Sequence, residues 1–203
     1  GFKYLIMGSM AGMLLLAGIG LVFRGTGSLS LPLQGARGSW HRELGTVFVL
    51  FAYLVKAAIV PGHTWLPDAH GRAPSSVSAL LSGIVIQAYL YVLLRVSLGL
   101  GVAATRLGWV LLALGGLNMS IGNLVAMRQV YGKRLLGYSS IAQVGYMLAA
   151  LGLGLAYGSA PLIAAGLLLL VAHAAAKGMA FMCKGVFHYY CGATRIEDLM
   201  GMA

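Results

Sequence analysis

PLIAAGLLLLVAHAAAKGMAFMCKGVFHYY, residues 161–190, decides the fold class. The stretch is apolar almost throughout and contains no acidic residue. About 20 mostly apolar residues in a helix suffice to cross the hydrocarbon of a bilayer, so this run is long enough to span. Its apolar residues are continuous rather than alternating, which excludes a membrane β-barrel strand. Five more runs of the same kind occupy residues 4–23, 44–60, 77–98, 107–127 and 135–157. The second is interrupted by Lys56 and closed by Pro61. In hydrocarbon every backbone N–H and C=O must be satisfied within the segment, which leaves the helix as the spanning structure. The expectation is an all-α polytopic membrane helix bundle, a single domain over residues 1–203, with about six transmembrane helices and one of them broken near Pro61. Connections are short except for residues 24–42 and the Pro/His-rich stretch 61–74, which reads as a loop. The first run is too long for a signal peptide, and no small-residue cleavage site follows it. Small-residue spacings such as Gly8/Gly12 and Gly154/Gly158 permit close helix contact.

Composition agrees. The chain is 60% hydrophobic and only 9% charged, against roughly 25% charged in soluble domains. It cannot dress a water-facing surface, so a soluble enzyme is excluded. The net charge of +10 invites a nucleic-acid reading. That reading fails because the basic residues are scattered between spanning runs, as in the loops of a polytopic membrane protein. With the N-terminus on one side, that side carries Lys3, Arg72, Arg128, Lys133, Arg134, Lys184 and Arg195. The other carries Arg24, Arg37, Arg42, Arg95 and Arg106. The excess makes the N-terminal side cytoplasmic. Cys183 and Cys191 are too few for a disulfide framework or a zinc knuckle and read as free thiols.

Two lysines sit inside apolar runs, Lys56 in FVLFAYLVKAAIVP and Lys177 in LLLLVAHAAAKGMAFM. A lysine at a helix centre costs about 2.5–3.5 kcal/mol on insertion scales. Each reads either as a proton or ion relay group facing a hydrated interior, or as a side chain that snorkels or packs against a partner subunit; the burial cost favours the first. His173 lies four residues before Lys177, on the same helix face, and an imidazole binds and releases protons near neutral pH. Pro61 removes a backbone donor and breaks the helix just after Lys56. Freed carbonyls at membrane depth are tolerated where they line a hydrated cavity. No carboxylate lies inside an apolar run: Glu43 is at the edge of the second, Asp68 is in the stretch 61–74, and Glu197 and Asp198 are in the tail. In that stretch His63, Asp68 and His70 are candidates for loop structure and gating. Two histidines and one Asp make a poor metal site, and no metal is expected. Trp65 reads as an interfacial anchor.

The segment VKAAIVPGHTWLPDAHGRAPSSVSALLSG, residues 55–83, resembles the antiporter-like membrane subunits shared by complex I, the membrane-bound hydrogenases and formate hydrogenlyases, and the Mrp-type cation/proton antiporters. KRLLGYSSIAQVGYM at 133–147, HAAAKGMAFMCKGV at 173–186, RIEDLMGM at 195–202 and TGSLSL at 26–31 are similar to further segments of the family, so the resemblance covers essentially the whole chain. It implies translocation of H+ or Na+ along a hydrated axis in mid-membrane, within a bacterial or archaeal cell membrane. It implies that Lys56 is the broken-helix lysine and that His173 and Lys177 form the central axis. The family's glutamate partner of Lys56 would precede Gly1 and its exit-side residue would follow Ala203, so the chain is expected to be the central part of a larger antiporter-like fold, or a short relative. Two departures stand out. Gln87 occupies a position where many members have lysine, which points to a water wire or polar link there. Tyr131 and Gly132 precede Lys133 where a family Asp is frequent. No cofactor is expected, since there is neither a GxGxxG after a strand nor a cysteine cluster. Redox chemistry would belong to other membrane-complex subunits, the expected partners. The rival reading is a structural or assembly subunit that keeps the fold without transport; a stand-alone channel is a third.

Overall fold

The computed structural model describes residues 2–31 and 39–199; Arg37 and the end of the RIEDLMGM segment lie outside the described residues. Among the described residues eight α-helices follow one another: α1 (Phe2–Thr26), α2 (Trp40–Lys56), α3 (Trp65–Arg72), α4 (Ser75–Leu80), α5 (Ile86–Gly99), α6 (Ala104–Ala126), α7 (Gly132–Tyr157) and α8 (Ala160–Cys191). A π-helical turn, Leu81–Val85, joins α4 to α5 without interrupting the rod, and a 3₁₀ turn covers Glu197–Leu199. No strand forms among the described residues.

Among the described residues five rods are long and apolar enough to cross a membrane: Phe2–Thr26, Ser75–Gly99, Ala104–Ala126, Gly132–Tyr157 and Ala160–Cys191. The remaining apolar run, 44–60, crosses the bundle in two pieces. α2 has 17 residues, about 25 Å at 1.5 Å each, and α3 contributes 8 more beyond an irregular stretch. Successive passes run antiparallel, and contacts fix the two ends. At one end the Lys3 ammonium meets Asp68 at 2.8 Å, Lys133 Nζ donates to the Ala73 carbonyl at 2.8 Å, and Ile196 N donates to Val130 O at 2.9 Å. At the other, Arg42 Nη2 donates to Leu100 O at 2.8 Å and the Trp109 and Tyr157 rings meet edge-on. Residues 68–73 and the tail therefore share one end of the bundle, as the run count requires.

The stretch 61–74 is not a loop: residues 65–72 wind into α3, whose Trp65, Leu66, Pro67 and His70 are buried. Pro67 is tolerated because it falls in the first turn, where backbone N–H groups have no helical partner. The third run also departs from a plain helix at its π turn.

α7 is the central helix. Half of its spanning window is buried, whereas α1, α6 and α8 leave most of theirs outward. Ile141, Val144, Met147, Leu148 and Leu151 on α7 form the core with Ile59, Leu66, Ile86 and Leu90. α6 and α7 pack backbone against backbone through glycines. A Cβ on Gly115 would stand 2.8 Å from Gly145 O, and one on Gly145 would stand 2.7 Å from Gly115 O. Only glycine lets the backbones approach so far. The Gly8/Gly12 pair has nothing near it, and Gly154 meets Ile163 of α8. Cys183 and Cys191 are free and exposed.

Candidate functional site

The break after α2 frees backbone groups in the interior, where an unpaired one costs as much as a lost hydrogen bond. Side chains from elsewhere satisfy them. Trp65 Nε1 donates to Val55 O at 2.8 Å. Val60 N donates to the Oδ1 of Asn118, on α6, at 2.8 Å, and Asn118 Nδ2 donates to Ile141 O of α7 at 3.3 Å. Asn118 is fully buried and so pins the break to two other helices. Ala58 takes a left-handed backbone, φ 54°, as the chain turns. Pro61 lies in this irregular stretch, so the break falls where the sequence places it, although α2 already ends at Lys56. Trp65, expected as an interfacial anchor, is instead an interior hydrogen-bond donor.

Lys56 is half-buried at the last residue of α2. Its ammonium lies 5.3 Å from the centre of the Tyr89 ring, within cation–π range. Beside it is a cavity of about 40 Å³, bounded by Tyr4 and Gly8 of α1, Trp65, and Leu81, Val85 and Tyr89. That is room for water next to the charge.

The second polar group lies deeper, where α7, α8 and the π turn meet. Lys177 and His173 are both buried, at 7% and 6% exposed. Lys177 Nζ donates to the Leu136 carbonyl of α7 at 3.2 Å. Ser140 Oγ donates to that same carbonyl at 3.0 Å and lies 2.7 Å from Ser82 Oγ on the π turn. Gln87 Nε2 donates to Ser82 O at 3.3 Å. A chain of polar groups thus runs from Gln87 through Ser82, Ser140 and the Leu136 carbonyl to Lys177. Gln87 Oε1 and His173 Nε2 are buried with no partner in the chain. Gly83 makes the juxtaposition possible: a Cβ there would sit 2.9 Å from Ala174 O of α8. π turns inside helices are frequent at functional sites because they re-aim side chains.

Among the described residues the carboxylates stay out of this interior. The ion pairs are Lys3–Asp68, Arg134–Asp68 at 3.2 Å and Arg195–Glu197 at 3.8 Å, all partly or wholly exposed. No group of three His, Cys, Asp or Glu there is placed to hold a metal.

The structure thus separates the sequence candidates into three places. Lys56 and Pro61 are at the break. Gln87, His173 and Lys177 share the buried polar group. His63, Asp68 and His70 do not act together. Asp68 ties α1 and α7 to α3 at the bundle end, and His63 is half-buried beside the break. His70 points inward: it is fully buried, its ring stacks on Phe181 with centroids 4.5 Å apart, and neither nitrogen has a partner. Ser82, Ser140 and Asn118 were missed. Their only linear signal is a hydroxyl or amide inside an apolar run, and such groups commonly bond back to their own helix.

Residues 1–203 match the model of the family described as NADH:quinone oxidoreductase/Mrp antiporter, TM. The chain is 35% identical over 210 residues to NADH-quinone oxidoreductase subunit N of Moorella thermoacetica, an alignment covering 100% of this chain and 43% of that one. The fold is similar to a chain of the Mrp complex from Dietzia sp., with TM-score 0.85, 27% identity, and 95% and 36% of the two chains covered. It is also similar to a chain of respiratory complex I from Thermus thermophilus, with TM-score 0.73, 34% identity, and 91% and 39% covered. The chain spans less than half the length of these proteins. A bundle of membrane-spanning helices with one broken pass, matched over its whole length by the family model, belongs to the membrane-embedded NADH:quinone oxidoreductase/Mrp antiporter family.

Proposed function

We propose that this chain is the central part of an ion-translocating membrane subunit that moves H+, or Na+, along a buried lysine/histidine axis inside a multisubunit membrane complex. The observation that supports this most is Lys177: a buried amine bonded to a helix carbonyl, joined through Ser140 and Ser82 to Gln87, in a bundle whose other interior side chains are mostly apolar. A structural lysine would be expected to have a carboxylate partner or a route to the surface, since an unpaired buried charge is costly. A relay lysine instead needs neutral acceptors that hold its ammonium and release it without reorganisation, which the Leu136 carbonyl supplies. His173, one helical turn away, offers an unpartnered Nε2 to the same interior. The unpartnered Gln87 Oε1 is a place for a bridging water. Lys56 stands apart as a second station, with α5 between the two groups: Tyr89 faces Lys56 and Gln87 faces Ser82. Transfer between them requires water near Gln87, as a polar link rather than a titrating residue. Other membrane subunits complete the path.

The test is ion transport by the full-length protein in its complex, reconstituted into vesicles. Lys177→Ala should assemble and lose pumping. Lys177→Arg should lose most of it, because a guanidinium does not release its proton. If Lys177→Ala assembles and pumps at the wild-type rate, the relay reading fails and the structural-subunit reading takes its place.

A further inference from the structure

At the end of the bundle that holds the tail, a cavity of about 520 Å³ opens between α3, α7 and α8, lined by Arg72, Lys133, Arg134, Lys184, His188 and Asp68. Four basic side chains, Arg72, Lys133, Arg134 and Lys184, face this space. Asp68 is already engaged by Lys3 and Arg134, and Asp198, which lies within electrostatic range of Lys184, accepts the backbone N–H groups of Thr194 and Arg195. Lys133 and Lys184 each spend one donor on a neutral carbonyl, those of Ala73 and Ala193, rather than on a carboxylate, which leaves two N–H groups on each ammonium for a ligand. The stem of Lys184 is held across the start of α7: a Cβ on Gly132 would lie 2.8 Å from its Cε. The positive end of the 26-residue α7 dipole opens here too.

A second cavity of about 610 Å³ shares Arg72, Lys133 and His188 with the first and continues along α8 past Met182, Val186, Tyr189 and Tyr190. All four of these side chains are exposed. Two tyrosines at the end of an apolar spanning helix mark the membrane–water interface. The cationic cavity therefore sits at headgroup depth, and the apolar groove leads from it along the exposed face of α8. We propose that this pair of cavities binds one anionic phospholipid, its phosphate held by Arg72, Lys133 and Lys184 and an acyl chain laid in the groove beside Met182 and Val186. Charge and amphiphilicity together select this ligand: a zwitterionic lipid brings no net charge for the cations, and a free phosphate leaves the groove unused.

The experiment uses the full-length protein in nanodiscs of phosphatidylcholine with added phosphatidylglycerol, the bound lipid being counted by native mass spectrometry. Wild type should retain phosphatidylglycerol at least about tenfold over phosphatidylcholine. Arg72→Gln, at an exposed position, and Lys133→Gln should each reduce that preference about fivefold, as expected for one cation near an anionic headgroup. Val186→Asp should weaken lipid retention while leaving inorganic phosphate affinity unchanged. The proposal is overturned if wild type shows no preference, or if both charge variants keep it. It is also overturned if inorganic phosphate at equal concentration displaces the lipid, which would make this a phosphate site only.

Discussion

Asn118 offers the sharpest test of how the helix break is held. It is fully buried, accepts from Val60 N at 2.8 Å and donates to Ile141 O at 3.3 Å. The two bonds are unequal. Ile141 lies inside α7, so its carbonyl keeps a helical partner when Asn118 is removed. Val60 lies in the irregular stretch, and its N–H would be left buried with none. Asn118→Leu, close in size, should therefore cost about 1–3 kcal/mol for the orphaned N–H. The weak bond to Ile141 adds about 0.6 kcal/mol, the average for interhelical hydrogen bonds in a membrane protein. The expected loss is about 1.6–3.6 kcal/mol. Asn118→Asp keeps the acceptor toward Val60, and as a neutral acid it can donate to Ile141, so it should lose well under half as much. The measurement is reversible unfolding of the full-length protein in mixed micelles with increasing SDS, with transport measured on the same preparations. Transport should fall in Asn118→Leu as well, since Lys56 leaves α2 four residues before Val60 and is positioned by the same turn. If Asn118→Leu unfolds within about 0.5 kcal/mol of wild type, or matches Asn118→Asp, the amide does not hold the break.

Two further outcomes follow from particular contacts. Gly83→Val should force α8 away from the π turn, because its Cβ meets a backbone carbonyl rather than a yielding side chain; transport should be lost while membrane insertion persists, and a variant that pumps normally would contradict the packing described. The backbone N–H groups of Arg195 and Thr194 hold the Asp198 carboxyl below its usual range. Stabilisation from a carboxyl depressed in the folded state is fully present above the unfolded value, about 3.9, and is lost as pH falls through the folded one. The tail should thus stay docked from neutral pH down to about 4 and loosen below it, read as faster hydrogen exchange at the Ile196 amide after correction for intrinsic rates, and Asp198→Asn should loosen it at every pH.

The sequence by itself determined the membrane class, the position of the break and the two lysines set inside apolar runs, of which Lys177 is buried and Lys56 half-buried. Each is a local property. Whether a window of about 20 residues can leave water depends on its summed polarity, whatever it packs against. A lysine or proline inside such a window is conspicuous because lipid offers nothing to offset it. Grouping those residues was another matter. Whether residues 61–74 formed a loop or a buried helix depended on the interior face that Trp65, Leu66 and His70 found against neighbouring helices. Histidines 63 and 70 looked alike in the chain, yet one lies beside the break and the other stacks on Phe181. The contact between Ser82 and Ser140 joins residues 58 apart, as does the bond from Val60 to Asn118. Such pairs are set by the rotation of one helix against another, and here that rotation follows from Gly83 beside Ala174 and from the π turn that re-aims Ser82. Hydropathy does not encode that rotation, because lipid is indifferent to which apolar face it meets; only the packing of small residues and the need to pair each buried polar atom select one arrangement.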